Sequence, residues 1–297
     1  MNATVLPPRL QPLGDEEGTL AMLALDQRES LRAMLAGVDE IQSVPDASLV
    51  DFKAEAGTVL TPHATAVLLD RLYALDEPGL QRAPECALIL AADILHQPAG
   101  GPVVRTEFDE HVTVRVIEES AAAALKLLVM WRADEAEGER RAIVDPFLQR
   151  CADAGVAAVV EGIVVPPEGG FAAGERDAAV IAAAEELSVG ADLYKAQVPG
   201  YAPGETQGVQ AQAELLTSRL QVPWVVLSNG VQAEDFAEAV RQACLGGAHG
   251  FLAGRAIWAD TVLDADRSAS LRQRSVDRLD ELRGIVKAAR GHQGAAG

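Results

Sequence analysis

Short apolar runs alternate with amphipathic segments along most of the chain. The runs have the length of buried strands, and most of them precede a segment in which apolar side chains recur at helical spacing. Eight strands are predicted, over residues 19–26, 49–53, 86–93, 124–131, 157–165, 192–199, 223–229 and 250–256. Helices are predicted over residues 137–154, 175–189, 210–220, 233–246 and 268–290.

Several predicted strands are apolar throughout, as in V-V-E-G-I-V-V at 159–165 and P-W-V-V-L-S at 223–228. Continuous apolar character is typical of parallel strands buried on both faces. Eight such units in 297 residues predict an α/β fold, a single (β/α)8 TIM barrel with a C-terminal helix. A doubly wound open sheet is the alternative, but no G-x-G-x-x-G motif follows the first strand.

The barrel domain is predicted to span residues 19–290. Residues 1–18 are rich in proline and polar side chains, so we expect a loose N-terminal arm. Residues 291–297, G-H-Q-G-A-A-G, are expected to form a flexible tail.

The acidic composition of the chain bears on which binding partners it can have. The chain carries 25 Lys and Arg against 44 Asp and Glu, a net charge of −19, which argues against nucleic acid and anionic membranes. We expect a soluble, cytoplasmic protein, since the N-terminus lacks a basic and apolar leader and no apolar run is long enough to span a membrane. Three widely spaced cysteines predict buried thiols, and the histidine spacing indicates no metal site.

Only four of the 25 cations are lysine, and three of those lie inside predicted strands. Lys53, Lys126 and Lys195 fall on the predicted second, fourth and sixth strands, and even-numbered strands supply the same layers of a barrel interior. Three ammonium groups in one cavity would repel one another and favour a neutral amine, which can form a Schiff base with a carbonyl. The alternative is that each lysine reaches solvent or pairs with a structural carboxylate.

Other polar residues cluster at predicted strand ends, where barrel enzymes place their active sites. Asp26, Gln27 and Arg28 close the first strand, and Glu161 lies among apolar residues in the fifth. Burial disfavours an ionised carboxylate, so Glu161 is a candidate for proton transfer, for a buried ion pair with a lysine, or for both.

The ends of the last two predicted strands resemble anion-binding loops. The sequences are L-S-N-G at 227–230 and L-A-G-R at 252–255. Loops after strands seven and eight of a barrel often bind phosphate through backbone N–H groups that glycine exposes. Ser228, Gly230, Gly254 and Arg255 are therefore candidate phosphate ligands, although glycines in such loops also serve ordinary turns.

Six sequence blocks resemble the class I aldolases of the tagatose-1,6-bisphosphate type. They are L-A-L-D-Q-R-E-S-L at 23–31, L-T-P-H-A-T-A-V-L-L-D at 60–70, A-L-K-L-L-V-M-W-R-A-D-E at 124–135, D-L-Y-K at 192–195, P-W-V-V-L-S-N-G-V at 223–231 and G-F-L-A-G-R-A-I-W at 250–258. The W-R-x-D-E and D-L-Y-K strings are most similar to the aldolases that cleave sulfofructose phosphate. The resemblance covers residues 19 to 262.

This resemblance implies a barrel enzyme, without metal or cofactor, that performs retro-aldol cleavage through a lysine imine. It implies that Lys195 is the Schiff-base lysine and Glu161 the proton shuttle. Asp26 and Lys126 would be catalytic, and the substrate would contact Gln27, Arg28, Lys53, Ser228, Gly230, Gly254 and Arg255. Gln197 and Gly162 depart from the family pattern, which bears on the substrate more than on the lysine chemistry.

The expected substrate is 6-deoxy-6-sulfofructose 1-phosphate, cleaved to dihydroxyacetone phosphate and sulfolactaldehyde. Tagatose or fructose 1,6-bisphosphate, or a barrel that binds sugar phosphate without catalysis, are the alternatives. Either Glu161 or Asp26 would be the base, and the chain is expected to form a homo-oligomer.

Overall fold

The computed structural model describes residues 6–37, 40–77 and 79–295, with side chains up to residue 291. Eight parallel strands form a closed barrel, in which β1 pairs with both β2 and β10. The predicted (β/α)8 fold is therefore confirmed. The ten strands of the structure are β1 Leu20–Leu25, β2 Ala66–Leu69, β3 Ala87–Ala91, β4 Asp93–His96, β5 Arg105–Phe108, β6 Ala122–Trp131, β7 Ala157–Val164, β8 Leu193–Ala196, β9 Trp224–Val226 and β10 Gly250–Ala253.

The two strands outside the barrel form a hairpin that the sequence analysis did not predict. β4 and β5 pair antiparallel, with Asp93 opposite Phe108. The hairpin begins at the carboxyl end of β3, so its connection, residues 97–104, stands over the end of the barrel where the site lies.

Helices surround the barrel and follow most of its strands. Four of them match the predicted helices within two residues at each end: α4, α5, α6 and α7. The described part of the chain contains ten α-helices: α1 Glu29–Ala36, α2 Asp46–Leu60, α3 Val114–Ser120, α4 Glu137–Ala154, α5 Glu175–Leu187, α6 Val209–Arg219, α7 Ala233–Leu245, α8 Arg255–Trp258, α9 Arg267–Ser270 and α10 Val276–Ala295. None of the helices in the described part of the chain is long and apolar enough to cross a membrane.

The predicted second strand, 49–53, is wrong. These residues form the first turns of α2, and the true second barrel strand is Ala66–Leu69. The buried side chains of α2 include Leu49, Phe52, Ala56 and Leu60, which recur every three to four residues. That spacing places them on one face of a helix, whereas a half-buried strand buries every second residue.

The expected loose N-terminal arm is also wrong for its described part. Residues Pro8–Leu13 form a 3-10 helix, and the side chains of Leu10 and Leu13 are fully buried. Together with Leu6, they pack against the inward-facing apolar residues of the barrel. The segment closes the amino end of the barrel, because the apolar interior would otherwise meet water there.

At the other end of the chain, the predicted tail overlaps a helix. α10 continues to Ala295, and residues 296–297 lie outside the described part of the chain. Residues 1–5 of the predicted arm also lie outside it.

Candidate active site

The site lies one layer above the apolar interior of the barrel. Inward-facing residues near the middle of the strands are small or aliphatic: Ala24, Leu68, Ala91, Ala124, Val159 and Leu193. Side chains on one face of a strand recur every second residue, so the next inward position follows two residues later. In these six strands that position holds Asp26, Asp70, Asp93, Lys126, Glu161 and Lys195, and each of these side chains is buried.

Lys195 and Glu161 form the ion pair at the centre of this layer. Their Cα atoms are register partners on β8 and β7, which puts both side chains on the inner face at the same height. The Lys195 Nζ lies 3.0 Å from the Glu161 Oε2, and both residues line a cavity of 220 Å³. The carboxylate is thus within proton-transfer distance of the amine.

Lys126 is fully buried on β6 and is surrounded by carboxylates. Its Nζ lies 2.6 Å from Asp26, 2.7 Å from Asp93 and 3.4 Å from Glu161. Burial alone would lower the pKa of Lys126, but these three negative charges outweigh it and raise the pKa above the ordinary lysine value. Lys126 therefore remains an ammonium ion.

Asp26 is kept ionised by the lysines around it. Burial alone would raise its pKa, but the charges of Lys126 and Lys195 outweigh burial and hold the pKa below the ordinary aspartate value. Asp26 lines the same cavity as Lys195 and Glu161. It is therefore available as a proton acceptor at neutral pH.

Asp93 belongs to the site, although the sequence analysis gave it no role. One of its oxygens, Oδ2, accepts hydrogen bonds from Lys126 and from the backbone N–H of Leu128, and Oδ1 accepts one from Arg28 at 2.9 Å. Arg28 also donates to the Asp93 backbone oxygen at 2.6 Å. The signal for Asp93 was present, since this aspartate ends the apolar run of the predicted third strand, 86–93.

Lys53 does not lie where the sequence analysis placed it. It is on α2, outside the barrel strands, and it does not line the cavity. Its ammonium group forms a buried ion pair with Asp70, whose other oxygen accepts a hydrogen bond from the backbone N–H of Tyr73 at 2.7 Å. Lys53 therefore stabilises the turn after β2. The expectation of three lysines in one cavity is wrong, because of the three only Lys195 lines it.

Of the four residues predicted in the loops after β9 and β10, Arg255 lines the cavity, and Asn229, which was not predicted, lines it as well. Asn229 and Arg255 line it and are hydrogen-bonded to each other, whereas Ser228, Gly230 and Gly254 do not line it. Gly254 lies behind the cavity, where an added Cβ would overlap the backbone oxygen of Ala24.

Gln27 and Arg28, at the end of β1, line the cavity together with the hairpin residues Leu95 and Gln97, and the Gln27 Nε2 lies 3.0 Å from where an added Cβ of Gly254 would stand. The Gln27 Oε1 and the Gln97 Nε2 are buried and have no hydrogen-bond partner among the described residues. No group of three or more His, Cys, Asp or Glu in this described part of the chain is arranged to hold a metal ion.

A parallel barrel that presents a buried lysine against a carboxylate at the carboxyl ends of its strands defines a Schiff-base enzyme. The match of a family model sharpens that class: residues 20–260 match the model described as DeoC/LacD family aldolase. The chain belongs to this family and is a class I aldolase.

Curated relatives agree with this assignment. Tagatose 1,6-diphosphate aldolase 1 of Enterococcus faecalis is 28% identical over 277 residues, which cover 86% of this chain and 84% of the relative. Tagatose 1,6-diphosphate aldolase of Listeria monocytogenes is 30% identical over 279 residues, covering 85% of this chain and 81% of the relative.

Solved structures support the fold. Fructose-bisphosphate aldolase from Plasmodium falciparum superposes with a TM-score of 0.70 at 15% identity, covering 96% of this chain and 97% of the other. An archaeal fructose-1,6-bisphosphate aldolase gives a TM-score of 0.59 at 16% identity, covering 92% and 98%. At these identities the likeness concerns the barrel alone.

Proposed function

We propose that the enzyme cleaves a ketose 1-phosphate between C3 and C4 through an imine on Lys195. The observation that carries this proposal is the Lys195–Glu161 pair, which lines the cavity while Lys126 is held by three carboxylates. Lys195 is therefore the amine that can reach a substrate carbonyl. Family membership decides against the alternative of a non-catalytic barrel.

The reaction begins when the neutral amine of Lys195 adds to the C2 carbonyl. Glu161, 3.0 Å away, moves the protons that turn the carbinolamine into an iminium ion with loss of water. A carboxylate then removes the proton of the C4 hydroxyl, the C3–C4 bond breaks, and its electron pair moves to the iminium nitrogen. Protonation of the enamine at C3 and hydrolysis release dihydroxyacetone phosphate and free Lys195.

Glu161 is the first candidate for the base at C4 and Asp26 is the second. Glu161 is closer to Lys195, whereas Asp26 is held ionised by Lys126 and Lys195. The Lys126 ammonium supports either role, because it compensates the charge of both carboxylates. The C1 phosphate is assigned to Arg255 and the backbone of the loops that contain Ser228, Gly230 and Gly254.

At the far end, we propose a sulfonate rather than a phosphate, which makes the substrate 6-deoxy-6-sulfofructose 1-phosphate. The cation there, Arg28, is already compensated by Asp93, and Gln97, which lines the cavity with it, is a neutral amide. A sulfonate carries one negative charge, which neutral donors match better than they match a phosphate dianion. The names of the curated relatives favour the second candidate, a tagatose or fructose 1,6-bisphosphate.

Borohydride trapping tests the chemistry. The enzyme is incubated with dihydroxyacetone phosphate, reduced, digested and analysed by mass spectrometry, and we expect an adduct on Lys195. Lys195→Met should give none, whereas Lys287→Met, a partly exposed lysine paired at the surface with Asp15 and Glu17, should give the wild-type adduct. An adduct on another lysine, or none on active wild-type enzyme, would contradict the assignment.

Steady-state kinetics test the base and the substrate. Glu161→Gln should lower kcat by about 10²- to 10⁴-fold, and Asp26→Asn should lower it less if Glu161 is the base. The kcat/KM values for the sulfonated ketose and the two bisphosphates are compared on one preparation. Their ratio shows whether the enzyme prefers a sulfonate or a phosphate at the far end of the substrate. A higher kcat/KM for a bisphosphate would refute the sulfonate.

A further inference from the structure

A second cavity lies beside the catalytic one, on the other side of the β4–β5 hairpin. Its volume is 280 Å³, and we call it the hairpin cavity. Neither Lys195 nor Glu161 lines it. It shares three lining residues with the catalytic cavity, which are Arg28, Leu95 and Gln97.

Three residues that line the hairpin cavity carry buried donors with no hydrogen-bond partner among the described residues. The donors are the Nε atoms of Arg28 and Arg71 and the Nε2 of Gln97. A buried donor without an acceptor costs free energy, and native structures contain few of them. Three around one cavity therefore indicate a ligand that is rich in acceptor oxygens.

Each carboxylate that lines the hairpin cavity has a cationic partner, which reduces its repulsion of such a ligand, and Arg71 is itself paired with Asp76 at 2.7 Å. The pairs are Asp93 with Arg28 and Lys126, Glu29 with Arg32 at 3.1 Å, and Asp109 with Arg71 at 3.5 Å. The remaining lining includes the apolar side chains of Leu72 and Ile94, both partly exposed at the rim.

We propose that the hairpin cavity binds a small oxyanion, held by Arg28, Arg71 and Gln97. Guanidinium groups bind the oxygens of phosphate, sulfonate and carboxylate through charge-assisted hydrogen bonds, and the apolar rim admits a short organic substituent. This site is separate from the catalytic cavity, although both cavities reach the same arginine, Arg28. The proposal stands on the donors and the cavity and does not depend on the substrate of the aldolase.

Isothermal titration calorimetry with inorganic phosphate, methanesulfonate and acetate tests the site and distinguishes the three oxyanion classes. Arg71 lines only the hairpin cavity and Arg255 only the catalytic cavity. We expect R71Q to weaken at least one of these anions by about tenfold or more, since one charge-assisted hydrogen bond is lost. R255Q should retain that binding, and R241Q, which removes a surface arginine paired with Glu238, should behave as wild type.

A second pair of variants keeps the proposal testable if R71Q does not fold. Leu72 is 48% exposed at the rim of the cavity, so it tolerates polar replacement. L72E places a negative charge beside the site and should weaken anion binding by about tenfold, whereas the isosteric, neutral L72Q should not. Equal affinities for L72E and L72Q, wild-type affinity in R71Q, loss of all anion binding in R255Q, or no binding to the wild type would each overturn the proposal.

Discussion

Replacing Lys126 by methionine tests how the site is held together. Methionine has a similar length and keeps the packing of an unbranched chain, but it removes the positive charge. The side chain of Lys126 has no exposed surface, and its ammonium group contacts three carboxylates. The variant therefore leaves buried negative charge without its central counter-ion.

The cost follows from which carboxylates keep another cation. Arg28 still compensates Asp93 at 2.9 Å, and Lys195 still compensates Glu161 at 3.0 Å. Asp26 alone loses the only cation that is in direct contact with it in the described part of the chain. We therefore expect a loss of about 3–5 kcal/mol in the free energy of unfolding, the cost of breaking one buried pair rather than three.

The same loss should depend on pH, and the sign follows from Asp26. In the wild type its folded-state pKa is lowered, so its stabilising contribution is complete above the unfolded aspartate pKa of about 3.9 and is lost as pH falls toward the folded pKa. In the variant, burial outweighs the remaining charges, so the carboxyl group takes up a proton at higher pH. Once Asp26 is protonated, each unit by which its pKa has risen restores about 1.4 kcal/mol of the free energy of unfolding that the variant lost.

Urea unfolding near pH 7.5 and near pH 5 measures both effects. The difference in the free energy of unfolding between wild type and K126M should be about 3–5 kcal/mol at the higher pH. It should be smaller by about 1 kcal/mol or more at the lower pH. Lys287→Met, which removes a surface ion pair, should cost less than about 1 kcal/mol at either pH. A gap below about 1 kcal/mol at neutral pH, or the same gap at both pH values, would refute the reasoning.

Three further predictions concern the scaffold. Leu10→Ala should lower the free energy of unfolding by about 2–5 kcal/mol in urea titrations, since Leu10 is fully buried against the barrel interior. A loss as small as that of an exposed side chain would mean that the N-terminal segment does not close the barrel. Gly250→Ala should destabilise by at least about 1–3 kcal/mol, because φ is +144° there and an added Cβ would overlap the backbone oxygen of Leu20; an unchanged melting temperature would contradict this. The thiols of Cys86, Cys151 and Cys244 should resist a disulfide reagent near pH 8 in the native protein, because burial raises their pKa to about 12. They should react once the protein is unfolded, and rapid labelling of the folded enzyme would show that they are not buried.

The sequence predicted the barrel because its information is local and repeated. Continuous apolar runs followed by amphipathic segments mark buried parallel strands and their covering helices, whatever their neighbours are. The error at 49–53 arose where a short apolar run fits both periods. The length of α2 and the three- to four-residue spacing of its buried side chains would have separated helix from strand.

Polar residues at strand ends were equally readable from the sequence. Asp26, Glu161 and Lys195 stand out because each interrupts or ends an apolar run, and the structure brings all three to one cavity. Asp93 shows the same signal at the end of β3. Its importance was missed because an aspartate at a strand end is common, and its donors lie far from it in the chain, Arg28 after β1 and Lys126 and Leu128 on β6.

The sequence by itself determined that Asp26, Glu161 and Lys195 lie at or near the ends of buried strands, and thus much of the chemistry available to this aldolase. Which charges compensate one another was decided only by the tertiary structure, since that depends on distances between residues far apart in the chain. Lys126 and Lys53 are both buried lysines. Lys126 contacts three carboxylates of the site, whereas Lys53 stabilises the turn after β2 through its ion pair with Asp70. Among the residues that the structure describes, the closed barrel leaves Lys195 with a single carboxylate within ion-pair distance, Glu161, beside an open cavity.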